Sequence, residues 1–417
     1  MSEDRDLQLA ETINCRLLLQ ERDPPINEVV ESGLVHRFVL FTSTNDFPEL
    51  KHESAFVLAT ITKGTSNHIA VLIDSGAVPL FVQLVTSDRE EVQLVGVRAL
   101  GNIAAGSTER RDHVLNSGAM MSLTALFNEH ATSSSVTLLT TASITIFHLC
   151  SRDPPPALEH KNQALPLVKR LLLLFTPWDP TNHLLLQSAS LTLSRLSNDG
   201  NIQNVIDLIP RLIHFLGQPN LASIVLPTLD TINNILEDTT HIQAVIDNQA
   251  LPSLLNVLTS TDNKRVKLKT CFTIVCVLSG NTSQVQQVIE AGIMQRLIHL
   301  LRDTSNIRTT ALIVLATAIH SGSHDQIKFL VAQGCIEPLC DFIISDDIST
   351  VVLTTLGALE GILIVGEAEK NLGNTGDVNL YAAMIVDAGI LDKIAELRSH
   401  GNPDIREMAN RLTDDYL

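Results

Sequence analysis

Aromatic side chains are scarce in this sequence: they make up 4% of it, with a single tryptophan, Trp178. Apolar residues nevertheless reach 45%, so Leu, Ile, Val and Ala must fill the interior, as suits closely packed small helices. The six cysteines (Cys15, Cys150, Cys271, Cys276, Cys335 and Cys340) form no C-x-x-C pair and stand at no zinc-ligand spacing. They read as core thiols of a reducing compartment, not as disulfides or metal ligands. Basic residues are also in short supply, with Lys plus Arg at 29 against 46 Asp plus Glu, a formal net charge of −17. That field repels nucleic acid and anionic lipid and attracts basic ligands; solubility is the plainer use of it. No run reaches the ~18 apolar residues of a membrane span, and the opening MSEDRDLQ has no apolar signal core. Catalytic patterns are missing too: there is no phosphate-cradling glycine loop, no G-x-S-x-G and no H-E-x-x-H. The pairs Glu90/Glu91 and Asp346/Asp347 fall in exposed breaks between helices, and His52, His68 and His324 are isolated. The expectation is a protein without enzymatic activity, cofactor or metal, and without direct nucleic-acid or membrane contacts.

What the chain does have is a period. A turn segment recurs as ESGLVHRFV at Glu31, DSGAVPLFV at Asp74, NSGAMMSLT at Asn116 and KNQALPLVK at Lys161. It returns as DNQALPSLL at Asp247, EAGIMQRLI at Glu290, AQGCIEPLC at Ala332 and DAGILDKIA at Asp387. Gly33 to Gly76 is a step of 43, and Gly76 to Gly118 and Gly292 to Gly334 are steps of 42. A period of about 40–47 residues with helical content marks stacked two- or three-helix repeats. Such a stack has one continuous core however long it grows, and its function resides on the surface that stacking creates.

One repeat shows the plan. After Gly76 the pattern predicts a short helix over Val78–Val85, a polar break, and a long helix over Val92–Ala105. Leu94, Val97, Leu100 and Ile103 line one stripe of that long helix. A third helix over Arg110–Asn116 precedes the next turn. Ser87, Asp88, Asp303, Thr304, Asp346 and Asp347 are the expected caps of the long helices, and Gly64, Gly106 and Gly280 their stops. Three consecutive prolines in SRDPPPALEHK, from Ser151, forbid helix there, and GEAEKNLGNTGDVN from Gly366 inserts about a dozen residues. KRVKLK, Lys264 to Lys269, reads as a solvated helix start. Counting gives about ten units over residues 1–417 as a single solenoid, with a partial first repeat (about 5–33) and a short last one (about 400–417).

Several passages resemble the importin-α family of armadillo-repeat adaptors: PPINEVVESGLVHRFVLF at Pro24, GTSNHIAVLIDSGAVPLFVQL at Gly64, RALGNIAAGS at Arg98, GSHDQIKFLVAQGCIEPLCDF at Gly322 and VGEAEKNLGNTGDVNLYAAMI at Val365. The resemblance spans the whole chain and is plant-like. It implies an all-α, right-handed armadillo superhelix that binds nuclear localisation signals of cargo proteins and works in cytoplasm and nucleus. In that family, W-x-x-x-N pairs on the long helices project into a groove. Asn amides clamp the backbone of an extended peptide, Trp rings flank Lys and Arg stems, and acidic groups take the charged heads.

The array is eroded in this chain. Positions of the family's tryptophans hold Phe56, Arg98, Ile144, Leu191, Phe272 and Ile313. Positions of its asparagines hold Thr60, Asn102, His148, Arg195, Asn234, Cys276, Thr317 and Gly361. The acidic residue after the first surviving asparagine is replaced by Ala105 or Gly106. The resemblance therefore nominates Asn102 and Asn234 as peptide clamps, with Phe56 and Phe272 as rings (core positions being the alternative). Gly64 and Thr65 are nominated as a place of backbone approach, with a helix-ending turn as the alternative. Weakened affinity for basic cargo segments is expected. An armadillo scaffold that has lost transport and binds another protein is the alternative. No Lys/Arg-rich run precedes Asp6 and the chain ends at DDYL, so the family's importin-β-recruiting segment and acidic extension are not expected here, either by truncation or by loss of the importin-β contact.

Overall fold

The computed structural model describes residues 4–44, 46–130, 135–177, 179–198, 202–219, 221–302, 307–345 and 348–417. They divide into two compact units, Met1–Asn201 and Ile202–Leu417. Trp178 and the expected caps Asp303, Thr304, Asp346 and Asp347 lie outside the described residues.

The first unit opens with α1 (Arg5–Leu18) and continues in triplets of two short helices and a long one. These are α2 (Ile26–Glu31), α3 (Val35–Ser43) and α4 (Pro48–Ile61), then α5 (Ser66–Asp74), α6 (Ala77–Leu84) and α7 (Glu90–Ala104). Next come α8 (Thr108–Asn116), α9 (Ala119–Glu129) and α10 (Val136–Cys150), and finally α11 (Leu158–Leu174) and α12 (His183–Leu196). The second unit starts with α13 (Ile209–Leu216) and α14 (Ala222–Leu236). Triplets follow as α15 (Ile242–Asp247), α16 (Ala250–Ser260) and α17 (Lys264–Leu278), then α18 (Thr282–Glu290), α19 (Ile293–Leu300) and α20 (Ile307–Ser321). After α21 (His324–Ala332), α22 (Ile336–Ser345) and α23 (Ser349–Asn371) comes a short strand, β1 (Asn374–Asp377), in the segment expected as an insertion. Helices α24 (Leu380–Asp387), α25 (Leu391–Leu397) and α26 (Pro403–Asp415) complete the unit.

The period arises from backbone stereochemistry. Gly33, Gly76, Gly118, Gly292, Gly334 and Gly389 all have positive φ, from 72° to 89°. A left-handed residue between the two short helices turns the chain sharply, by 85° between α5 and α6. In DNQALPSLL the non-glycine Gln249 takes φ 66° instead, a conformation that costs an L-residue about 1–2 kcal/mol. The turn expected at KNQALPLVK does not form: α11 runs straight through it with Pro166 inside. With no glycine to take the left-handed step, helix continuation avoids that strain and forgoes one hydrogen bond at the proline. Ahead of α13 two 3-10 turns, Ile202–Asn204 and Ile206–Leu208, stand in place of a first short helix.

The stop glycines have a second use. Thr65, Asn281 and Ser323 cap α5, α18 and α21 in reciprocal capping boxes with His68, Gln284 and Gln326. A Cβ on Gly64 would lie 2.3 Å from His68 Nδ1, and one on Gly280 1.9 Å from Gln284 Oε1. Glycine leaves that space to the returning side chain. Those chains also reach back one repeat: His68 Nε2 is 3.2 Å from Asn27 Oδ1, Gln284 Nε2 donates to Gln243 Oε1 at 3.3 Å, and Gln326 Nε2 donates to Gln286 Oε1 at 3.2 Å. The expected caps Ser87 and Asp88 do not hold that position. Helix α7 begins at Glu90 with Arg89 as its uncapped N-cap, and the Glu90 and Glu91 carboxylates complement the helix dipole.

The long helices stack side by side, α4, α7, α10 and α12 in the first unit and α14, α17, α20, α23 and α26 in the second. Their inward stripes are buried, as with Val97, Leu100 and Ile103 of α7. Buried hydroxyls tie neighbours: Thr145 Oγ1 donates to the Val97 carbonyl at 3.0 Å, and Ser143 Oγ to the Leu185 carbonyl at 3.1 Å. Among the described residues α23 is the one single helix long and apolar enough to cross a membrane, and 56% of its apolar window is buried in the protein, as in a core helix.

Candidate functional site

Each long helix leaves one stripe uncovered, and the positions nominated above fall on it. On α4 Phe56 is half-buried, and Thr60 turns its hydroxyl back to the Phe56 carbonyl at 2.9 Å. On α7 Arg98 is exposed. One turn later Asn102 is half-buried and donates through Nδ2 to Thr62 Oγ1 at 2.9 Å, bridging α7 to the end of α4. Its carbonyl oxygen takes no bond among the described residues. On α10 Ile144 and His148 are half-buried, and on α12 Leu191 is half-buried and Arg195 exposed. Burial and then the nearby Arg152 guanidinium hold the His148 imidazole below its ordinary range. Arg152 donates to the Ala105 carbonyl, and together with Arg195 it lines a cavity of about 280 Å³.

The missing acid has a cationic replacement. A Cβ on Gly106 would meet Arg110 Nη1 at 2.8 Å, and Arg110 is itself anchored on the Ser66 carbonyl at 2.7 Å. Gly64 lies in the turn between α4 and α5, and Thr65 is the N-cap of α5 in its capping box with His68.

The second unit has a different character. On α14 Asp230 and Asn234 are half-buried one turn apart, and Glu237 is exposed at the helix end. Asp230 forms an ion pair with Lys269 of α17. Phe272 is 53% exposed, which places this ring on the open face and not in the core. Burial and then the Glu237 carboxylate raise the Cys276 thiol, so that carboxylate sits near the end of α17. Ile313 of α20 is 45% exposed, and Thr317 bonds its own helix at the Ile313 carbonyl, 2.8 Å away. At Gly361 a Cβ would lie 2.7 Å from Ile319 Cγ2, so glycine there serves the close approach of α20 and α23. The tryptophan–asparagine template passed over Asp230 and Glu237. Their spacing from Asn234 was the available signal, since residues three and four apart share a helix face.

Three comparisons set this geometry among known proteins. Residues 65–105 match the Armadillo/beta-catenin-like repeat family. The chain is 43% identical to importin subunit alpha-1b of Oryza sativa subsp. japonica and 44% identical to importin subunit alpha-3 of Arabidopsis thaliana, in each case over 100% of this chain and 77% of the relative. Importin subunit alpha-6 of Arabidopsis thaliana is 50% identical with the same coverage. The crystal structure of an engineered protein, a Northeast Structural Genomics Consortium target, matches with a TM-score of 0.78 at 24% identity, covering 99% of this chain and 96% of that one. That likeness bears on the fold alone.

Proposed function

We propose a function from the premise that this chain belongs to the importin subunit alpha family, as its full-length identity of 43–50% to plant members establishes. It is a nuclear-import adaptor that holds extended basic localisation segments of cargo proteins, working between cytoplasm and nucleus. The second unit supplies the basic-peptide site. Asn234 contacts the peptide backbone, Phe272 packs on a Lys or Arg stem, and Asp230 and Glu237 take the charged heads. The observation that carries this is the placement of Asp230, Asn234 and Glu237 on one stripe of α14, beside a ring on α17 that is 53% exposed.

Affinity is lower than a complete array would give. A side chain–backbone hydrogen bond contributes about 0.5–1.5 kcal/mol and an aromatic–cation contact about 0.5–2 kcal/mol. Losing most of six pairs removes more than about 6 kcal/mol, roughly four powers of ten in dissociation constant. Fluorescence anisotropy with a labelled lysine-rich localisation peptide at low salt is the test. Saturable binding that weakens on Asn234→Ala and Phe272→Ala supports the proposal. No binding by a chain whose circular dichroism is fully helical removes it.

A further inference from the structure

We propose that the solvent face of α7, α10 and α12 is a binding site for an acidic peptide segment in extended conformation. The proposal concerns the first unit alone and stands whether or not the second unit holds basic segments. From Glu90, the start of α7, to Asn198 the sequence holds eight Lys/Arg against eight Asp/Glu, inside a chain that holds 29 against 46. Most of those carboxylates are engaged elsewhere, Glu90 by Ser135 and Glu91 by Arg89 among them. Asp112 pairs with the buried Arg111, Glu129 accepts from Gln93, Asp179 caps a 3-10 turn, and Glu109 lines a separate crevice beside Asp74. Among the described residues only Asp153 of these lines the cavity that Arg152 and Arg195 share.

Three of the cations, Arg98, Arg152 and Arg195, are exposed. Arg98 and Arg195 have no carboxylate partner among the described residues, and Arg152 has only a carbonyl. His148 lies among them, within reach of the Arg152 charge. Asn102 keeps its carbonyl oxygen available for a peptide N–H, and the half-buried Leu94, Ile144 and Leu191 stand one turn before Arg98, His148 and Arg195 respectively on their helices.

Geometry sets the occupant. Packed helices lie about 8–10 Å apart, and an extended chain advances about 3.3 Å per residue. A strand crossing the three helices meets a new one about every third residue. Carboxylates at positions 1, 4 and 7 of a heptapeptide, with aliphatic residues between, would meet Arg98, Arg152 and Arg195 in turn. A nucleic-acid backbone fits less well, because the island of positive charge is short, Glu90 and Glu91 flank it on α7, and the chain carries −17 overall.

The test is fluorescence anisotropy of the full chain with such a labelled heptapeptide at low salt, beside a charge-reversed lysine peptide and a ten-nucleotide single-stranded DNA. Saturable acidic-peptide binding is expected. It should weaken about fivefold on Arg98→Gln or Arg195→Gln and at least twentyfold in the double variant, while Phe272→Ala leaves it unchanged. Excess lysine peptide should not displace it. Absence of binding by a chain with intact helical circular dichroism overturns the proposal. So does insensitivity to both arginine substitutions, full displacement by the lysine peptide, or tighter binding of the DNA than of the acidic peptide.

Discussion

Two alanine substitutions of the same nominal type should move stability in opposite directions. Gly96 lies inside α7, where a Cβ would come within 2.7 Å of the Phe81 carbonyl oxygen, 3.0 Å of Leu84 Cβ and 3.0 Å of the Val85 nitrogen. Two of these are backbone atoms of the α6 end, which cannot rotate away as a side-chain tip can. Gly96→Ala must therefore separate α6 from α7, an overpacking change that costs about 1–3 kcal/mol. Against this, alanine gains about 1 kcal/mol of helix propensity over glycine. The net expectation is a loss of up to about 2 kcal/mol. Gly357, inside α23, has nothing within 4 Å of its would-be Cβ. Gly357→Ala should keep the propensity term alone and gain up to about 1 kcal/mol. Thermal unfolding followed by circular dichroism reads the contrast. A cooperative unit of about 200 residues shifts by about 2–4 °C per kcal/mol, so the two variants should differ by several degrees. If Gly96→Ala melts at or above Gly357→Ala, the close approach of α6 and α7 is not what requires glycine there.

Other perturbations test individual side chains. Asn234→Ala should weaken lysine-rich peptide binding about two- to tenfold and Phe272→Ala about two- to fivefold, measured by anisotropy at low salt. Burial and the Arg152 charge depress the His148 pKa below its ordinary 6.5, so the unfolded chain binds a proton that the folded one does not. Stability from this group is present above the ordinary value and is lost as pH falls through the depressed one; His148→Gln should flatten the decline in melting temperature below about pH 6.5. Arg111, 1% exposed, donates to the Arg152 and Pro154 carbonyls as well as pairing with Asp112, so Arg111→Ala should lower the melting temperature by removing about 2–4 kcal/mol. Asn233, 7% exposed, has neither amide atom bonded among the described residues, and Asn233→Leu should raise the urea midpoint through a gain of about 1–3 kcal/mol.

Most of the helical plan was legible because glycine leaves a stereochemical mark. Wherever the turn segment held Gly, the left-handed step followed, and α7 buried Val97, Leu100 and Ile103 of its foretold stripe while Leu94 stayed half-buried. Where the segment held Asn-Gln, the same letters led to two outcomes: a strained turn at Gln249 and a continuous helix through Lys161. Local propensity does not separate these, because the choice depends on neighbouring helices. The capping boxes were hidden for another reason. Their Gln and His partners look like ordinary surface residues until the glycine ahead of them is seen as the space they fill. On the open face, residue identities were readable but their pairings were not. Lys269 counted only as part of a solvated basic start, although it closes on Asp230 across two helices. Arg152 attracted no notice because it lies just past the end of α10, outside the helical register.

The side chains that start α5, α18 and α21 have one end on their own helix and the other on a residue about forty positions earlier. Placing a helix boundary and aligning one module on its predecessor are thereby a single event. A slip of one residue would break both contacts at once, so misregistered stacking is penalised at its first step. Under mechanical tension such a chain should release whole modules in succession, each step as long as the spacing between two of these latches.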